Sequence, residues 1–270
     1  MSEIVKLTKE YIKVKRRDGR ITCGGDQNFF AGAPEGSADW RKQKLGCGIT
    51  ALGDLFLYLE DRDKERLPEE MQTATVSGGK SHRPQSQTAG TQETEPPFSE
   101  REYRDYYNRI YRFAGRIPPW AKNGLSVARI QLTFNRMARR RGWRLRARWG
   151  MSYRKLPGRI AEMLGRDIPV IWCIPFMAFK RDKKKGVSFY EKRDGAYRKA
   201  CTVSAHYVVV LGIAQEKAGT WLEISSWGNI YYVNWEEYCA LIHPPLHGQP
   251  VYGLCSRFLE TILGNILYIR

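Results

Sequence analysis

The sequence predicts an α+β fold in which helices come first and a mostly antiparallel β-sheet follows. Two observations carry that expectation. Between Ile49 and Leu164 apolar residues recur at helical spacing in three separate segments. From Ile168 onward they fall instead in short runs divided by turn residues, the pattern of clustered strands.

Residues 1 to about 22 are basic, with Lys13, Lys15, Arg16 and Arg17, and read as a short strand or arm. Ile49, Leu52, Leu55, Phe56 and Leu59 fall on one face, which predicts a helix from about Cys47 to about Glu60. From about Met71 to Ser99 the chain is rich in Ser, Thr, Gln and Gly. That composition cannot bury a core and reads as a flexible insertion at about 71–99 within a single domain spanning 1–270.

Order is expected to resume at Glu100, with tyrosines at 103, 106, 107 and 111. Val127, Ile130, Phe134 and Met137 mark a second amphipathic helix after Asn123-Gly124. Gly142 to Trp149 then alternates strictly: Trp143, Leu145, Ala147 and Trp149 face one way, and Arg144, Arg146 and Arg148 the other. Leu156 to Leu164 reads as a third, short helix. Ile168 to Pro175 is a buried strand, followed by a basic loop. Ser204 to Ile213 reads as a strand buried on both faces. Trp221-Leu222-Glu223-Ile224 leads into a Ser225-Ser226-Trp227-Gly228 turn and a returning strand at Ile230–Val233, and a last segment ends Ile266-Leu267-Tyr268-Ile269.

Composition bounds the function classes. The 270 residues carry 45 Lys plus Arg against 28 Asp plus Glu, a net +17, which attracts polyanions and anionic surfaces. The charge clusters at Arg139-Arg140-Arg141 with the arginine strand face, and at Lys180-Arg181-Asp182-Lys183-Lys184-Lys185. Alternation places Trp143 and Trp149 on the core side, away from those arginines, and no helix-turn-helix, zinc-finger or RNP-type motif is present. The ordinary reading is a solvated, edge-protecting basic face; the functional readings are nucleic-acid binding through the arginine strand, or a contact with acidic peptide substrates or a cell-surface polyanion. The six cysteines are dispersed without a C-x-x-C or Cys/His ligand spacing, so neither a metal nor another cofactor is expected. Met1 to Glu10 lacks the apolar core of a signal peptide and no stretch is long enough to span a bilayer. A reducing, cytoplasmic setting is therefore expected, with export by another route left open.

The chemistry centres on Gly46-Cys47-Gly48. A thiol in the first turn of a helix meets unsatisfied N–H groups and a partial positive charge, and both favour thiolate. A nucleophile also needs a base. His206 opens the apolar strand, whereas His82 lies in the polar tract and His243 and His247 flank a Pro-Pro loop. Helix-heading Cys47, strand-borne His206 and the Ser-Trp-Gly turn follow one another in an order that resembles the papain-like cysteine peptidases. In particular it resembles the bacterial branch related to the bacteriocin-leader (double-glycine) peptidases, with their Gly-Cys-Gly nucleophile segment.

The resemblance implies a helix-borne cysteine packed against the sheet, with thiol and imidazole meeting across the interface. It implies peptidase activity on a peptide or protein substrate. It also implies a residue that orients the imidazole, which the family supplies as Asn or Asp. Here Ser225 stands at that position, and a hydroxyl brings no negative charge; Glu223 and Asn229 are the neighbouring alternatives. The family's oxyanion-stabilising glutamine falls on Gln27, in a glycine-rich turn followed by aromatics, or on Gln43 within the Arg41–Lys44 run, which reads as solvated. A catalytically silent domain of the same kind, binding peptide or polyanion through its basic face, is the alternative function.

Overall fold

A computed structural model describes residues 3–66, 97–121, 124–150, 155–174, 186–242 and 266–270. In chain order the elements are β1 (Glu3–Lys6), β2 (Lys13–Lys15), β3 (Ile21–Cys23), a 3₁₀ turn (Gln27–Phe30), α1 (Ala38–Leu45), α2 (Cys47–Arg66) and β4 (Phe98–Ser99). Then come α3 (Glu100–Ala114), α4 (Val127–Arg140), β5 (Ala147–Trp149), α5 (Leu156–Gly165) and β6 (Val170–Ile174). The last group is β7 (Val187–Arg193), β8 (Ala196–Val203), β9 (His206–Glu216), β10 (Gly219–Ser226), β11 (Asn229–Asn234), α6 (Trp235–Ile242) and β12 (Leu267–Ile269). The fold is α+β, as the sequence predicts.

The main sheet has seven strands in the order β1-β9-β10-β11-β7-β8, with β6 also on β9, and all of its ladders are antiparallel. Strand β9 is its spine. Val208, Val209, Val210, Leu211 and Ile213 are buried along it, and β-branched side chains suit such a two-sided position. One flank of β9 is shared: β6 pairs with residues 206–210 and β1 with residues 212–215.

Helix α2 packs against β9 and β6. Its stripe of Ile49, Leu52, Leu55, Phe56 and Leu59 has no solvent exposure, and each such side chain contributes about 1.5–3 kcal/mol when fully buried. The helix begins at Cys47 and continues past the expected Glu60 to Arg66. Arg62 explains part of the extension, because its buried guanidinium donates to the Asp167 carbonyl at 3.1 Å.

Three other expectations change. The Arg41–Lys44 run, expected to be solvated, belongs to α1, capped by the Ser37 hydroxyl on the Trp40 N–H, and only its Lys44 is exposed. Lys42 is buried there, paired with Asp39 and lying over the rings of Phe30 and Tyr111. The polar tract does not reach Ser99 as insertion: Phe98 and Ser99 pair in parallel with β2, and Ser99 forms a capping box with Glu102 at the start of α3. The rest of the tract, residues 71–96, lies outside the described residues, as do His82, Lys180 to Lys185, His243, His247 and Cys255. The alternating 143–149 segment does alternate in burial, yet only Ala147–Trp149 is a paired strand, with β12 as its partner.

No helix among the described residues is long and apolar enough to cross a membrane. Cys23, Cys47, Cys173, Cys201 and Cys239 are free thiols.

Candidate active site

Four distant segments meet at one narrow pocket. It is lined by Gly25 and Gln27 from the turn after β3, by Cys47, Thr50, Ala51 and Asp54 from α2, by His206–Val209 from β9, and by Ser225–Trp227 at the end of β10. The free space in it is only about 10 Å³, room for about one water molecule.

Cys47 enters because Gly46 and Gly48 permit close packing on both sides. A Cβ on Gly46 would lie 2.1 Å from the Lys42 carbonyl oxygen, and one on Gly48 would press on Ile130 and the Tyr207 ring. The backbone amides of Tyr207, Gly48 and Cys47 itself pull the thiol pKa down. Burial outweighs them and pushes it up, so the expectation of a favoured thiolate is met in the donors but not in the balance.

His206 is deeply buried, and loss of hydration pushes its pKa down to about 4. Its Nε2 lies 2.8 Å from Ser226 Oγ, and its ring stacks on Trp227 with centroids 4.5 Å apart. Trp227 and Gly228 both have positive φ, 49° and 73°, which makes the β10–β11 connection a two-residue hairpin turn of the kind matched to strand twist. A tryptophan in that region is uncommon, and here it is what places the indole over the imidazole. The turn is held from outside by Cys23 N–H donating to the Gly228 carbonyl at 2.9 Å.

Ser225 does not orient the imidazole. Its hydroxyl donates to the Cys23 carbonyl at 2.8 Å. Successive side chains of a strand point to opposite sides, so moving one residue along β10, to Ser226, changes which neighbour the hydroxyl meets. Glu223 is paired with Lys6, and Asn229 donates back to the Trp227 carbonyl, so neither alternative reaches His206. Of the two glutamines, Gln27 lines the pocket, and its Nε2 donates to the Gln43 carbonyl at 2.6 Å, which fixes the amide. No hydrogen bond joins the Cys47 thiol to His206; the imidazole's bond runs to Ser226.

No protein-family model matches this chain, and comparison with curated proteins and with solved structures finds no match. The chemistry of the pocket therefore stands on its geometry.

That geometry includes groups the sequence reading passed over. Asp54 lies two turns after Cys47 on the same helix, buried, with Oδ1 accepting from Tyr103 Oη at 2.6 Å and Oδ2 from Tyr11 Oη at 3.3 Å. The Gly25 N–H donates to both of its oxygens, at 3.0 and 3.1 Å. Burial nevertheless pushes its pKa up to about 7, the hydrogen bonds acting against it. The carboxylate anchors the Gly24-Gly25 turn that leads to Gln27; a Cβ on Gly25 would lie 1.9 Å from Tyr103 Oη. A lone acid within the apolar run Ile49–Leu59 was the signal for it. Thr50, one turn after Cys47, has its hydroxyl buried without a hydrogen-bond partner. Among the described residues no group of three His, Cys, Asp or Glu side chains could hold a metal ion.

Proposed function

We propose that this chain is a papain-like cysteine peptidase, a thiol-dependent amide hydrolase acting on a peptide or protein substrate. The observation that carries the reading is the convergence of Cys47, His206, Gln27 and the Ser226-Trp227 turn, from four separate segments, on one pocket. In this reading Nε2–H of His206 donates to Ser226 Oγ, which leaves Nδ1 with the lone pair. Cys47 Sγ attacks the substrate carbonyl and forms a C–S bond while His206 takes the thiol proton. His206 then returns that proton to the leaving amine as the C–N bond breaks, and water hydrolyses the acyl-enzyme. The second Nε2–H of Gln27, the one not given to the Gln43 carbonyl, would serve the developing oxyanion. Because burial disfavours both charged forms, the resting pair is uncharged thiol and imidazole, and the proton moves during attack.

The same electrostatics favour a second reading, a catalytically silent domain of this fold, since a serine brings no charge to support an imidazolium. Iodoacetamide labelling with peptide mapping between pH 4 and 9 separates the two. The peptidase reading expects Cys47 to be alkylated ahead of Cys23, Cys173, Cys201 and Cys239, and at least tenfold more slowly in His206→Ala. Equal Cys47 rates in the two proteins would leave the silent domain.

A further inference from the structure

The function proposed above makes no use of the arginines carried by α4 and by the chain that leads into β5. Asn135 of α4 exchanges hydrogen bonds with the backbone of Ala147, 2.8 Å to its N–H and 3.0 Å to its carbonyl, and Gln131 accepts from the Trp149 N–H at 2.7 Å. These bonds lay β5 and the extended chain before it along one flank of α4. On the other flank, Arg136 and Arg140 lie over the Phe113 ring of α3, at 5.6 and 4.6 Å from its centroid. Arg136, Arg139 and Arg140 of α4, Arg144 and Arg146 of the chain leading into β5, and Arg148 of β5 therefore stand side by side, and all six are exposed.

None of the six makes an ion pair with a described residue. The carboxylate in the adjacent α3–α4 groove, Glu60, is already held by Arg141 and by Tyr106 Oη. The basic β7–β8 hairpin differs, for there Arg193 pairs with Glu191 and Arg198 with Asp194. Six cations on one face, with no carboxylate partner among the described residues, repel one another; dissolved counterions screen that repulsion, and a bound polyanion relieves it while releasing them.

We infer that this face is a docking surface for a nucleic acid phosphate backbone. The strand arginines alternate along extended chain and so stand about 6.5–7 Å apart, a row that suits a linear polyanion. Arg136 and Arg140 have their planar heads already ordered over Phe113, which lowers the cost of fixing them on phosphates. Base stacking has no platform here: Trp143 and Trp149 turn inward, so the contacts carry no base readout. Insertion into a lipid surface is disfavoured because Leu132 is the large apolar side chain exposed on α4.

The test is fluorescence anisotropy of the full chain with a labelled 30-base-pair DNA duplex of mixed sequence, from 50 to 300 mM salt. Vesicles of phosphatidylcholine with phosphatidylserine are assayed in parallel. Each phosphate neutralised adds about −0.9 to the slope of log affinity against log salt. Arg144→Ala/Arg146→Ala/Arg148→Ala should reduce the steepness by about 2–3 and weaken binding at least tenfold at 150 mM salt. Arg193→Ala/Arg198→Ala/Lys199→Ala removes the same charge elsewhere and should change binding less than threefold. Circular dichroism confirms that both variants fold, since every substituted side chain is exposed. Equal losses in the two variants would reduce the effect to net charge and overturn the assignment, as would binding to vesicles but not to the duplex. Cys47 labelling rates, read on the same variants, keep this outcome separate from the peptidase question.

Discussion

His206 Nε2 and Ser226 Oγ stand 2.8 Å apart at the start of β9 and the end of β10, under the Trp227 ring. The neighbouring Ser225, by contrast, spends its hydroxyl on the Cys23 carbonyl. Two adjacent serines thus hold different parts of the pocket.

Their substitution should separate site from scaffold. A hydrogen bond of this kind is worth about 0.5–1.5 kcal/mol net. Ser226→Ala is expected to slow Cys47 alkylation about three- to tenfold with little change in urea midpoint. Ser225→Ala removes the donor from a partly buried carbonyl and should cost about 1 kcal/mol in urea unfolding while the alkylation rate moves less.

Asp54 and His206 line the same pocket with opposed pH behaviour. The Asp54 pKa rises on folding from 3.8 to about 7, so its contribution is full below pH 3.8 and is lost as pH rises through 7. The His206 pKa falls from 6.5 to about 4, so its contribution is full above pH 6.5 and is lost as pH falls through 4. Displacements of that size correspond to about 4 and about 3 kcal/mol at most. Measured as the difference from wild type, Asp54→Asn should gain stability between pH 4 and 7. His206→Gln should lose stability over pH 4 to 6.5. Urea titrations at half-unit steps read both, and parallel curves for the two variants would remove the assignment of burial to these groups.

Gln27 is predicted to matter for acyl chemistry and not for alkylation. A peptide aldehyde forms a tetrahedral adduct whose oxyanion needs a donor, whereas iodoacetamide does not. Gln27→Ala should weaken aldehyde binding about 10- to 100-fold and leave the iodoacetamide rate within twofold.

Two glycines give a steric contrast. Gly25→Ala would drive a Cβ into Tyr103, and overpacking of that kind costs about 1–3 kcal/mol. Gly158, near the start of α5, has nothing within 4 Å of an added Cβ, so Gly158→Ala should be neutral or stabilise by up to about 1 kcal/mol. Thermal unfolding of the two variants distinguishes them.

Periodicity made the architecture legible. The apolar stripe from Ile49 to Leu59 marked α2, the valine run after His206 marked β9, and Trp227-Gly228 marked the hairpin. Composition alone misplaced Lys42, because a lysine reads as solvated until aromatic rings such as Phe30 and Tyr111 are brought under it by the fold. The polar tract likewise read as ending at Ser99, because the pairing of Phe98 with β2 is a contact across 84 residues that no local window contains. At the pocket, Cys47 and His206 were visible as chemistry-bearing residues at the starts of strong elements. Ser226 was not preferred over Ser225, since which face of a strand looks toward a partner depends on register and not on residue type. Asp54 was hidden for a similar reason: only the docked tyrosines and the Gly25 N–H turn a lone helix acid into an anchor.

The pairing of β9 with both β6 and β1 has a consequence for the order in which the protein can be made. Ile4 finds its partner in Ala214, so the first strand has nothing to pair with until most of the chain has left the ribosome. Helix α2, with its thiol, emerges early, while His206 follows roughly 160 residues later, about 10–30 s at ordinary rates of synthesis. The nascent chain therefore carries its cysteine for that interval without the imidazole. The pocket is complete only after β9 and then the Ser226-Trp227 end of β10 have both emerged.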